Sequence, residues 1–295
     1  MSAQEGSDPS RVPVRPAATL ILLSDRPDLQ VLLLRRRAAS VFVPGMVVFP
    51  GGALDEEDGS PETTALCRGL DDREASARLG IESGALAYWV AAIRETFEEA
   101  GVLLAHGEPG MDATEPARIA RLAALRAEVD AGRVSLAEAM RGEGLVLATD
   151  AIHYAARWIT PEGPPRRYDT RFFVAEQPRG PEALHDDREA VHSEWIGPAD
   201  ALARFEAGEL AMLPPTAGML RVLTRFRGAS EAVEAAARHQ SGPDVQVRLT
   251  REAERWRVLL PGDPDYAEAA MPIRAWVRFG VEEDGAMRDA AERSA

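Results

Sequence analysis

The stretch Arg94-Glu95-Thr96-Phe97-Glu98-Glu99-Ala100-Gly101-Val102 decides how this 295-residue chain is read. At about 100° per residue, Glu95, Glu98 and Glu99 share one helical face about 100° wide. Val90, Ile93, Phe97 and Ala100 gather on the opposite side, at roughly 140–220° from Glu95. This periodicity predicts a helix over 85–100, stopped at Gly101, where a left-handed C-cap is wanted. Three carboxylates this close repel one another unless positive charge sits among them. A hard divalent cation takes oxygen ligands, and such a cluster supplies them. Taken alone, the helix is equally compatible with a solvated acidic face. Upstream, Phe49-Pro50-Gly51-Gly52 adds a glycine loop whose backbone can approach a metal or phosphate closely.

Working outward from the helix, Ala17–Leu23 and Gln30–Arg35 read as strands joined by the turn Ser24-Asp25-Arg26-Pro27-Asp28. The polar run from Ala53 to about Ser83 reads as an excursion with one or two short helices and no central strand. Beyond Gly101 come two alanine- and arginine-rich helices, Glu115–Val129 and Ser135–Arg141, then strands at Ala151–Thr160, Arg171–Glu176 and Ser193–Ile196. Helices are expected at Pro198–Ala207 and Pro214–Arg227. After Gly228 the composition shifts to a helix at Ser230–Gln240 and three strand-like pieces at Val245–Leu249, Trp256–Leu260 and Ile273–Phe279.

Composition removes several classes of function. With 34 basic and 48 acidic residues the net charge is −14, so no basic field exists to hold nucleic acid through counterion release. All 34 basic residues are arginine, which excludes lysine Schiff bases, lysine nucleophiles and the P-loop lysine. The single cysteine, Cys67, forms no internal disulfide and no Cys-rich zinc site. No apolar run reaches the roughly 20 residues of a membrane span. The polar first residues do not read as a signal peptide, and a cytoplasmic location is expected.

The pattern around the helix resembles the Nudix box, Gly-x5-Glu-x7-Arg-Glu-U-x-Glu-Glu-x-Gly-U, with U a bulky apolar residue. Gly52 matches the opening glycine, and Arg94 to Val102 match the second half except for Thr96 at an apolar position. The box is split: 41 residues, Ala53 to Ile93, separate Gly52 from Arg94, far more than the pattern allows. Asp58 stands at the spacing of the first glutamate but could equally belong to the insertion. The split box and the extra helices resemble the Nudix branch that includes the peroxisomal coenzyme A diphosphatase of animals. Leu32-Leu33-Leu34-Arg35-Arg36 and Gly45 to Gly52 partly match a coenzyme A signature, with Val43 and Pro44 departing from it.

The resemblance implies an α/β fold: a Nudix-type α/β/α sandwich around a mixed β-sheet, with inserted helices. With residues 1–15 read as a leader and the composition shift near 228, the expected organisation is a Nudix domain over 16–228 with insertions at about 53–83 and 107–145, and a C-terminal extension over 229–295 packed on or beside it. The resemblance further implies hydrolysis of a pyrophosphate linkage in a nucleoside diphosphate derivative, with coenzyme A or acyl-coenzyme A as candidates. ADP-ribose, nucleotide sugars and capped RNA are the alternatives within the family, and a non-catalytic nucleotide sensor is the alternative outside catalysis. Glu95, Glu98, Glu99 and the Gly52 carbonyl are implied as ligands of Mg²⁺ or Mn²⁺, Arg94 as the group orienting Glu95, and Glu189 as a base or further ligand. Arg36, Arg166 and Arg171 are candidate phosphate-binding residues, because guanidinium forks match phosphate oxygens. The expected partner is a small nucleotide substrate, with neither membrane nor nucleic acid.

Overall fold

The computed structural model describes residues 12–36, 45–107, 115–178, 190–238, 244–252, 255–269 and 271–281. Its centre is a ten-stranded mixed sheet. Strands β1 (Val14–Asp25) and β2 (Leu29–Arg36) form the antiparallel hairpin expected from the Asp/Pro turn. β1 starts at Val14, inside the stretch expected as leader. β3 (Val47–Val48) lies against β2, and β4 (Gly51–Ala53) pairs antiparallel with β1, placing Gly52 beside Ala18. On its other side β1 pairs parallel with β8 (Arg167–Glu176), which is antiparallel to β7 (His153–Ile159). β9 (Ala190–Ile196) adds to β2.

Helices cover both faces. One carries α3 (Leu86–Ala100), with α2 (Asp72–Leu79), α4 (Pro116–Asp130) and α5 (Leu136–Glu143) around it. Trp89, Ile93 and Phe97 of α3 pack there against Leu20, Leu22 and Phe173 of the sheet. The other face carries α6 (Pro198–Glu206), α7 (Pro214–Leu223) and α8 (Ala229–Arg238) over Ile21, Leu23 and Val174. Alternation along β1 explains the division: even positions face α3 and odd positions face α7 and α8. Burying each large apolar side chain stabilises the layers by about 1.5–3 kcal/mol.

The split in the box is an excursion. After Ala53 the chain makes a 3-10 turn over Glu56–Gly59, then α1 (Pro61–Thr64) and α2, and residues 54–83 add no strand to the ten-stranded sheet. A small separate ladder pairs β5 (Ala105–His106) with β6 (Val146–Leu147). Past Gly228 the chain behaves differently. β12 (Met271–Val277) pairs with β7, β10 (Val245–Glu252) pairs with β12, and β11 (Arg255–Leu259) forms the edge, so the last part of the chain extends the same sheet. Among the described residues no helix is long and apolar enough to cross a membrane.

Candidate active site

Helix α3 runs from Leu86 to Ala100 and ends as its sequence requires: Gly101 adopts φ 69° and donates its N–H to the Phe97 carbonyl at 2.9 Å. Thr96, the departure from the apolar pattern, is fully buried, and its hydroxyl donates to the Ala92 carbonyl at 2.7 Å. A self-satisfied hydroxyl of this kind tolerates an apolar slot. The glutamate face is enclosed rather than solvated, with side chains 15% exposed at Glu95, 14% at Glu98 and 10% at Glu99.

Arg94 organises this face. Its Nη1 donates to Glu95 Oε1 at 2.9 Å and to Glu98 Oε2 at 3.0 Å. Its Nε and Nη2 grip Asp58 Oδ1 and Oδ2 at 2.9 and 3.0 Å, and Nη2 also donates to the Ala53 carbonyl. Asp58 is 1% exposed and closes its own turn by accepting the Asp55 N–H. Asp58 is thus the carboxylate partner of Arg94. The signal was the spacing of six from Gly52, obscured by the acidic run Asp55-Glu56-Glu57-Asp58.

The glycine loop is fitted to the same face. A Cβ on Gly52 would collide with the Glu95 carboxylate, and one on Gly51 would meet the Ala18 carbonyl oxygen at 2.5 Å. The Gly51 N–H donates to Glu99 Oε2 at 2.9 Å, and Arg36 Nη1 lies 3.8 Å from Glu99 Oε1. Arg126 of α4 donates from Nε to the Glu98 carbonyl, holding the α4–α5 insertion against the end of α3. Beside Arg94 and Glu98 opens a cleft of about 420 Å³, walled by Asp55–Asp58 on one side and by Val129, Val134 and Leu136 on the other.

The electrostatics follow from the charge count. Burial works against Arg94's charge, but Asp58, Glu95 and Glu98 outweigh it and hold the guanidinium above its ordinary range. Burial pushes the Glu95 carboxyl up to about 7 against the pull of Arg94, with Glu98 adding to the rise. Glu98 is raised as well, mainly by burial. One guanidinium shared among three carboxylates leaves the face short of positive charge. Among the described residues no three acids or histidines are arranged to close on a metal ion: Arg94 bonds both Glu95 and Glu98, and Glu99 accepts the Gly51 amide. The donors are all oxygens with surplus negative charge, which fits a divalent cation.

The candidate residues do not all converge here. Glu95, Glu98, Glu99, Arg94, Arg36 and the Gly52 backbone come together. Arg166 is exposed in the turn before β8. Arg171, 4% exposed at its side chain, lies two strands along the same face from Gly52, 3.9 Å from Asp169 Oδ1 and over the Tyr88 ring. Glu189 lies outside the described residues. Trp158 and Phe172 are core, and Trp195 is half-buried under the Arg26 guanidinium.

Residues 71–223, more than half of the chain, match the family model described as the NUDT19 Nudix domain. The chain belongs to the Nudix family. Nudix hydrolases cleave pyrophosphate linkages with divalent metal ions, and this chain is a Nudix hydrolase. It is 28% identical to the acyl-coenzyme A diphosphatase NUDT19 of Gallus gallus, over 86% of this chain and 80% of that one. It is 29% identical to the Homo sapiens protein of the same name, over 68% and 62%. Among solved structures, a Nudix hydrolase from Alicyclobacillus acidocaldarius matches with a TM-score of 0.59 and 29% identity, over 76% of this chain and 97% of that one.

Proposed function

We propose that this Nudix hydrolase cleaves the pyrophosphate of coenzyme A or acyl-coenzyme A, releasing adenosine 3′,5′-bisphosphate and a 4′-phosphopantetheine product. The observation that carries the reading is likeness along most of the chain to proteins named acyl-coenzyme A diphosphatase. The complete carboxylate set on α3 supports catalysis over a sensor role. Mg²⁺ or Mn²⁺ held by Glu95, Glu98, Glu99 and the Gly52 carbonyl would neutralise the pyrophosphate and acidify the attacking water.

The chain's own residues supply the rest. Asp58 fixes Arg94, and Arg94 fixes the carboxylates of Glu95 and Glu98 by charge-assisted hydrogen bonds. Arg36, beside Glu99 at the end of β2, is the nearest guanidinium to substrate phosphate on that side. Enclosure of the face strengthens each of these interactions relative to water. The test is a side-by-side assay of coenzyme A, acyl-coenzyme A, ADP-ribose and NADH with Mg²⁺ and with Mn²⁺. The expected result is the highest kcat/KM for a coenzyme A compound, with adenosine 3′,5′-bisphosphate among the products. Faster cleavage of ADP-ribose would overturn the substrate assignment.

A further inference from the structure

The strand registers line up a second set of side chains with the active site. Gly52, against Glu95, pairs with Ala18; Ala18 pairs with Arg171, Arg171 with Arg157, and Arg157 with Trp276 of the C-terminal strand β12. Partners in register point to one side of a sheet, and the contacts agree: the Arg157 guanidinium lies 5.6 Å over the Trp276 ring, and that of Arg171 lies over Tyr88 of α3. At about 4.8 Å per strand, Arg171 stands about 10 Å from Gly52 and Trp276 about 19 Å.

This row carries an excess of positive charge. Arg157 grips Asp169 with Nε and Nη2 at 2.8 and 2.6 Å, so that carboxylate is largely taken. Arg171 is left 3.9 Å from it, and its Nε makes no hydrogen bond among the described residues. Trp276 is half-buried and Arg274, on the same face two residues earlier, is exposed. The opposite flank of the carboxylates is the cleft lined by Asp55, Glu56, Glu57 and Glu98, which repels anions.

We infer that the nucleoside half of the substrate lies along this row, its base stacked on Trp276 and its phosphate charge facing Arg157 and Arg171. The C-terminal extension then supplies a specificity-determining residue of the active site. The inference rests on the proposed function for the identity of the nucleoside half. The anion-rich cleft is left to the other half, which carries no phosphate beyond the one being cleaved.

The test is calorimetric titration of the metal-free 295-residue chain with adenosine 3′,5′-bisphosphate, AMP and 4′-phosphopantetheine. Trp276→Ala should weaken both nucleotides about fivefold or more, since aromatic stacking of a base is worth about 1–3 kcal/mol, and Trp276→Phe should restore most of the loss. Trp256→Ala, at the exposed tryptophan of the far edge strand, should change nothing. Phosphopantetheine should bind Trp276→Ala as it binds the wild type. Unchanged nucleotide binding by Trp276→Ala, equal weakening of both halves, or no nucleotide binding to the wild type would each overturn the inference. If AMP binds as tightly as the bisphosphate while Trp276→Ala still weakens it, the row stands and the coenzyme A reading fails.

Discussion

Two buried arginine centres flank the same sheet region with opposite charge ratios. At Arg94 a single guanidinium is shared by Asp58, Glu95 and Glu98, with Asp55 at 3.9 Å beyond them. At Arg171 two guanidinia, its own and that of Arg157, share Asp169. The first centre is short of cations and suits a metal; the second is short of anions and suits a phosphate. A buried charge must find its complement, so an incomplete set indicates what the ligand brings.

The largest expected effect comes from breaking the first centre at its base. Asp58→Ala strips Arg94 of its two-point partner, and a lost buried partner costs about 3 kcal/mol. Thermal unfolding should show a drop of about 5–10 °C, together with reduced turnover. Glu98→Gln and Glu99→Gln should each lower kcat by about 10²-fold or more, because removing a ligand carboxylate forfeits several kcal/mol of charge stabilisation. Near-normal turnover in both variants would dismiss the metal face.

Ligand effects on unfolding sharpen the contrast. Saturating Mg²⁺ or Mn²⁺ should stabilise the wild type by about 2–3 kcal/mol at a hundred times Kd, and Glu98→Gln should abolish most of that gain. Asp169→Asn should cost about 1–2 kcal/mol by leaving two guanidinia against a neutral amide. Added sulfate should recover part of this loss, whereas sulfate should do nothing for Asp58→Ala. Equal rescue of both variants would erase the distinction between the centres. The smallest effect belongs to Thr96→Val, within about 1 kcal/mol in a denaturant titration. The Thr96 hydroxyl bonds only its own helix, so its removal strands no partner.

Legibility in the sequence followed the range of the interactions. The carboxylate face of α3 and its Gly101 cap depend on neighbours within one or two turns, and the helical period displays them directly. The hairpin of β1 and β2 is equally local. Asp58 was harder, because its meaning depends on Arg94, 36 residues away across an excursion of unknown course. Arg171 was singled out as a candidate phosphate ligand, but its alignment with Arg157 and Trp276 could not be seen. It requires the parallel register of β1 with β8 and the placement of β12 beside β7, neither of which any short segment encodes. The enclosure of Glu98 likewise needed α4 in place, held by Arg126.

The continuity of the sheet past Gly228 has a practical consequence. A chain cut there would leave β7 with an open flank where β12 now bonds it, and would strip α8 from β7 and β8. Bare strand edges recruit other strands, so such a fragment should clump rather than behave as a minimal enzyme. The tail is therefore a seal as much as an appendage, and trimming it would be a poor way to find the smallest active unit.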